Sequence, residues 1–152
     1  MRFVFLGFIS LVLFGCGSKS SEDDDPIRAM YTRTVTLADG NQIQAEVLLK
    51  PQEMARGMMF RDTLPRGHGL LFIHDKPAPY RYFMANVKVP LDIIFMDAAR
   101  RIVEISADTP PCTTKPADCP TYGGHHYEQF VLEVGGGEAH RLGLQTGQTL
   151  TF

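Results

Sequence analysis

Polar residues set inside apolar runs are where this chain can do chemistry. Asn86 stands between Phe83-Met84 and Val87, and Asp92 between Leu91 and Ile93-Ile94. Burying either side chain is costly unless it is hydrogen-bonded. Arg56 and Arg61 flank a Met-Met-Phe segment, where they can pair with Asp92 or grip an anion bidentately. Two readings follow: a buried network that fixes register, or a cleft in which Arg56, Arg61, Tyr82, Asn86 and Asp92 hold a small polar or anionic molecule beside Phe83. Catalysis has thinner support, because the chain has no nucleophile elbow, no phosphate-cradling glycine loop and no paired-histidine metal helix. An enzymatic alternative is a hydrolase in which Asp92 works with His68 or His74. The run Gly135-Gly136-Gly137 reads as a chain reversal, and Met54, Met58 and Met59 as core filler at helical spacing, with thioether copper binding the lesser alternative. No cofactor or metal is expected.

Cys112 and Cys119 lie in a loop that also holds Pro110, Pro111, Pro116 and Pro120. In an exported chain a disulfide between them is the default. The alternatives are a tetrahedral metal site completed by His125 and His126, against which adjacent histidines in an extended segment point apart, and a redox-active thiol pair.

The third cysteine supplies an address. Arg2 gives a positive start, Phe3 to Phe14 form an apolar run broken by Gly7 and Ser10, and Gly15 precedes Cys16. About a dozen apolar residues are too few to span a hydrocarbon core of roughly 30 Å as a helix. The pattern resembles a bacterial lipoprotein signal over residues 1–15, with Cys16 lipidated as the mature N-terminus. Residues 17–26 then form a flexible, acidic tether with no apolar residue to offset the entropy of ordering. Gly17, where an aspartate would resemble an inner-membrane retention signal, points to the outer membrane facing the periplasm. The bilayer, reached through acylated Cys16, is the expected partner, together with a small ligand or an envelope protein.

Residues 27–152 are long enough for one core and too short for two comfortable domains. The 152-residue chain carries a net charge of −2 with Lys and Arg scattered, so no footprint for nucleic acid is visible.

The elements that must position these residues are short. Thr32 to Leu37 and Gln42 to Leu49 flank Asp39-Gly40, a hairpin signal. Pro51 opens a helix through Met58, weakened at its end by Gly57. Leu70 to His74, Tyr80 to Met84, Leu91 to Met96, Arg101 to Ile105 and Phe130 to Val134 read as strands, with Asp97 to Arg100 a turn, Gly137 to Leu142 a last helix and Gln148 to Phe152 a closing strand. The expected fold class is a β-rich α+β domain: a compact antiparallel, barrel-like sheet with two or three short helices.

Several strings also carry a family resemblance. Arg56-Gly57-Met58-Met59-Phe60-Arg61, Gly69-Leu70-Leu71-Phe72, Phe83-Met84-Ala85-Asn86 and Pro90 through Asp97 are followed in order by Pro111-Cys112, Cys119-Pro120, Tyr122 and Val131-Leu132-Glu133-Val134 before Gly143 and Gly147. The combination, covering nearly everything after about Thr34, resembles the bacterial and archaeal "domain of unknown function 192" family. That resemblance implies a compact β-rich, barrel-like fold, commonly exported, with no established activity. Ala85 stands where the family often has Lys, and Arg100 where it often has a turn Gly.

Overall fold

The computed structural model describes residues 31–152; Cys16, the signal and the tether lie outside the described residues. Thr32–Thr36 (β1) and Gln42–Leu48 (β2) form the expected hairpin. Its turn is fixed locally, with Gly40 at φ 87° and the Asp39 carboxylate accepting from the Asn41 backbone N–H at 2.9 Å. Pro51–Arg56 (α1) follows, then His68–Ala78 (β3), Arg81–Phe83 (β4), Leu91–Met96 (β5), Ile102–Thr109 (β6), a 3-10 turn at Pro116–Asp118, Thr121–Gly123 (β7), Glu128–Gly135 (β8) and Glu138–Arg141 (α2). The helix α1 stops two residues short of Met58, because Gly57 turns the chain at φ 39°.

Six strands form one sheet in the order β1-β2-β3-β8-β5-β6, and β4 and β7 form a separate two-stranded ribbon. Two features depart from the antiparallel barrel that the sequence suggests. First, β2 and β3 pair in parallel, since the α1 segment carries the chain back before β3 begins, so the sheet is mixed. Second, the sheet is open. The expected closing strand makes only isolated bridges, Thr36 with Thr151 and Arg101 with Thr149, so the tail straps one end of both edge strands without closing them.

The sheet buries both faces. Val35, Ile43, Leu71, Ile94, Met96, Leu132 and Val134 pack on one side against Ala139 of α2, Leu142 just after it and Leu150 of the tail. Alternate residues, Leu70, Phe72, Ile93, Phe95 and Val131, pack on the other with Met58, Met84 and Val87. Burial on both sides explains why β5 is apolar at five of its six positions. The β4/β7 ribbon lies directly on this second face: a Cβ on Gly123 would come within 2.4 Å of the Phe95 ring.

The Asp97 turn is as expected, its carboxylate accepting from the N–H groups of Ala99 and Arg101. Arg100 adopts φ 62°, the conformation a glycine would supply. Its guanidinium sits 4.6 Å from the Phe152 ring centroid, a contact that offsets the backbone strain.

Candidate functional site

Asp92 and its immediate neighbours in β5 point to opposite faces of the sheet, and this separates the residues that the sequence groups together. The Asp92 side chain shares its face with Ile94 and Met96 and is fully buried. Its carboxylate accepts from the backbone N–H of Asp108 at 2.7 Å, Gly137 at 3.1 Å and Ala139 at 2.6 Å. It therefore ties β6 and the start of α2 to the sheet, as the network reading required, and it pairs with neither arginine. Asn86 is exposed, not embedded, and holds a turn at φ 58°; its carbonyl accepts from Phe60 N–H at 2.9 Å, anchoring the loop after α1. Neither His68 nor His74 hydrogen-bonds Asp92: His68 contacts the Arg66 carbonyl and His74 the Tyr82 hydroxyl. Ala85 is buried and bridges to Cys112.

The second face carries the candidate site. The α1 backbone is started by Pro51 and by Glu53, which accepts from both the Lys50 N–H and its ammonium. It ends where a Cβ on Gly57 would meet the Phe72 ring at 3.1 Å, so the glycine lets the helix end close onto β3. Beyond it Met58 enters the core, and Arg61 clasps Glu46 of β2 through two hydrogen bonds of 2.7 and 2.9 Å. Between this segment, β3 and β4 lies a cavity of about 200 Å³. Met58 and Met59 line it from one side, Phe72 and His74 from β3, Tyr82 from β4, and Glu133 from β8.

Glu133 was not singled out by the sequence, and it is the most unusual group in the cavity. It is 6% exposed, makes no side-chain hydrogen bond among the described residues, and its Oε2 is buried without a partner. Burial pushes its carboxyl up to about 8, with the Arg61 guanidinium pulling it partly back. The residue stands in Val131-Leu132-Glu133-Val134, so the polar-in-apolar signal that marked Asp92 was equally present here.

Beside it the Tyr82 hydroxyl and His74 Nε2 are 2.9 Å apart, and the His74 ring stacks on Tyr80 with centroids 3.5 Å apart. Burial lowers the His74 pKa against the opposing charge of Asp75, which keeps the imidazole neutral at pH 7. Burial raises the Tyr82 phenol well above its ordinary value, and the carboxylates of Glu133 and Glu128 add to the shift. Glu128 has a second buried oxygen without a partner, while its other oxygen accepts from Gly124 N–H at 3.2 Å.

A larger cleft of about 640 Å³ adjoins the cavity and shares Arg56, Gly57 and Met59 with it. Its charges are already matched, Arg61 with Glu46 and Lys50 with Glu53, leaving Arg56 exposed and without a polar partner among the described residues. Size favours the cleft, but the unmet hydrogen-bonding demand lies in the smaller cavity. Arg56 and Tyr82 thus line the cavity with Glu133, and Arg61 stands in the adjoining cleft, near enough for its charge to act on Glu133; Asn86 and Asp92 line neither.

Cys112 and Cys119 form a disulfide, with Cα atoms 5.8 Å apart. Among the described residues no group of three or more His, Cys, Asp and Glu side chains is placed to hold a metal ion.

Together the fold and site define a small β-rich domain with two buried sheet faces and an apolar-walled cavity under a disulfide-tied ribbon. Residues 34–152 match the DUF192 family, described as "Uncharacterized ACR", and the chain belongs to that family. It is 32% identical to a protein of unknown function from Novosphingobium aromaticivorans DSM 12444, covering 80% of this chain and 84% of that one with a TM-score of 0.70. It is 25% identical to a protein proposed to be a transcription regulator from Sinorhizobium meliloti 1021, covering 78% of this chain and 89% of the other with a TM-score of 0.69. A comparison with curated proteins finds no match.

Proposed function

We propose that the protein is an outer-membrane lipoprotein, anchored through acylated Cys16, whose single domain binds a small ligand in the cavity beneath β4. The binding half of this reading rests on one observation: a carboxyl buried to 6% exposure lines a cavity and has no hydrogen-bond partner among the described residues. Leaving such a group unsatisfied costs roughly 1–3 kcal/mol, which a ligand able to hydrogen-bond it would recover. The walls supply apolar and aromatic contact, and the Tyr82–His74 pair supplies a second polar anchor, the composition expected of a small-molecule site. The anchoring half rests on the pattern that ends at Cys16.

A hydrolase built on Asp92 with a histidine finds no support in this geometry, because the Asp92 carboxylate is engaged by three backbone donors on the other face. Transcription regulation, proposed for the Sinorhizobium relative, is not favoured by a net charge of −2 with dispersed cations.

The test is a thermal-shift panel of amines, alcohols, sugars and small anions on the full-length protein in nonionic detergent. A native-state ligand at about a hundred times its Kd stabilises by ~2.7 kcal/mol, a rise of a few degrees. That rise should vanish in Glu133→Gln and Tyr82→Phe. A shift that survives both substitutions would move the site elsewhere.

A further inference from the structure

We propose that the cavity is selective for a small organic cation, whose ammonium group seats against the Glu133 carboxylate between the aromatic walls. The inference rests on the reading of the cavity as a ligand site and adds the charge of what enters it.

The charged and titratable neighbours of Glu133 decide that sign. From β2 comes Glu46, and from the loop after α1 comes Arg61; these two neutralise each other through a bidentate pair at 2.7 and 2.9 Å. From β3 comes His74, held neutral by its burial, and from β4 comes Tyr82, whose phenol stays protonated. The flanking strand β5 presents Ile93 and Phe95 on this face, which carry no charge. Arg56 and Arg81 line the cavity but are exposed, so water screens them. What remains inside with no ion-pair or hydrogen-bond partner of its own among the described residues is an acid.

An anion, which the sequence alone would admit, would find Arg56 and Arg81 only at the exposed rim and that carboxyl inside. A neutral ligand can take a hydrogen bond from its protonated form. A cation does more: it supplies the opposite charge at close range that burial withholds, favouring the ionised form. Phe72 and Tyr82, in edge contact at 5.1 Å between centroids, place ring surface in the same walls, and ring faces attract ammonium groups. Met58 and Met59 add polarisable thioethers. The volume of about 200 Å³ is below that of sites for drug-sized ligands and suits a compact ammonium compound.

Seating the cation is coupled to a proton. Because burial raises the Glu133 carboxyl to about 8, it is largely protonated at neutral pH, and the O–H bond must break with its proton leaving to solvent as the ammonium enters. Affinity should therefore fall toward tenfold for each pH unit below about 7.

Isothermal titration of the full-length protein in nonionic detergent with choline, and with its uncharged carbon isostere 3,3-dimethylbutan-1-ol, separates the charge from the shape. At pH 7.5 choline is expected to bind at least tenfold tighter. Titrations in buffers of different ionisation enthalpy should show up to one proton released per choline and none for the alcohol. Glu133→Gln should weaken choline by at least tenfold and erase its preference over the alcohol. Equal affinities in the wild-type protein, or choline binding without proton release, would overturn the cation inference and leave the cavity as a site for neutral ligands. Binding of neither compound at millimolar concentration overturns it too, and the ligand panel on the same preparation then decides the cavity reading separately. Both wild-type comparisons stand even if the Gln variant folds poorly.

Discussion

Asp92 and Glu133 are both buried carboxyls in the middle of one sheet, and their surroundings treat them in opposite ways. Asp92 accepts three backbone N–H groups, so its charge is matched by fixed donors. Asp92→Asn keeps the shape but removes the charge and turns one acceptor oxygen into a donor. Unfolding in urea should show a loss of about 1.5–3 kcal/mol, with the cavity unaffected; an unchanged midpoint would contradict the network. Glu133 has no such donors, and its raised pKa makes stability depend on pH in a defined direction. The unfolded side chain ionises near 4.5 while the folded one holds its proton to about 8. Below the lower value both states are protonated and nothing is lost. Between the two the folded state binds more protons, so stability declines as pH rises, at up to ~1.4 kcal/mol per unit, and levels off above about 8. In Glu133→Gln this decline should be absent, so the variant gains on the wild type from pH 5 to pH 8 in urea titrations. Parallel profiles for the two proteins would count against a protonated Glu133.

At the scale of elements, the β4/β7 ribbon is joined to the rest of the domain by a loop with little regular structure. The Cys112–Cys119 disulfide closes that loop across a separation of seven residues, and Cys112 N–H donates to the Met84 carbonyl at 3.1 Å, pinning the loop to the segment after β4. On the loop-entropy model the closure contributes roughly 2–2.5 kcal/mol. Replacing both cysteines by serine should lower the urea midpoint accordingly, with far-ultraviolet circular dichroism retained because the six-stranded sheet does not contain the loop. A midpoint equal to that of the oxidised protein would show that proline and packing alone hold it. The elements legible in the sequence were those written locally: the Asp39-Gly40 hairpin, the Pro51 helix, the apolar run of β5. β7 was missed because its three residues gain their order from pairing with β4, a partner far away in sequence. The parallel β2/β3 pairing and the open sheet were missed for the same reason, since no residue pattern in either strand names its neighbour.

For the whole molecule, the candidate site was half legible. Arg56 and Tyr82 line the cavity and Arg61 the cleft beside it, but Asp92 lies on the other face, which the sequence hides because β5 is apolar on both sides of its pleat. Glu133, in Val131-Leu132-Glu133-Val134, carries the same polar-in-apolar signature as Asp92, and nothing local distinguishes the two. Cys16 lies outside the described residues, and its role is decided at this same scale, by where the molecule sits in the cell. A single acyl chain holds a protein only marginally, so a stable anchor requires more than one, as lipoprotein maturation would provide. Intact-mass analysis of the membrane fraction should find a mature chain that begins at Cys16 and carries a diacylglyceryl-type adduct. Cys16→Ser should leave the membrane fraction, and it should retain the cavity's ligand response, because anchor and cavity lie in separate parts of the chain. A serine variant that stays equally membrane-bound would show that something other than acylated Cys16 holds the domain there.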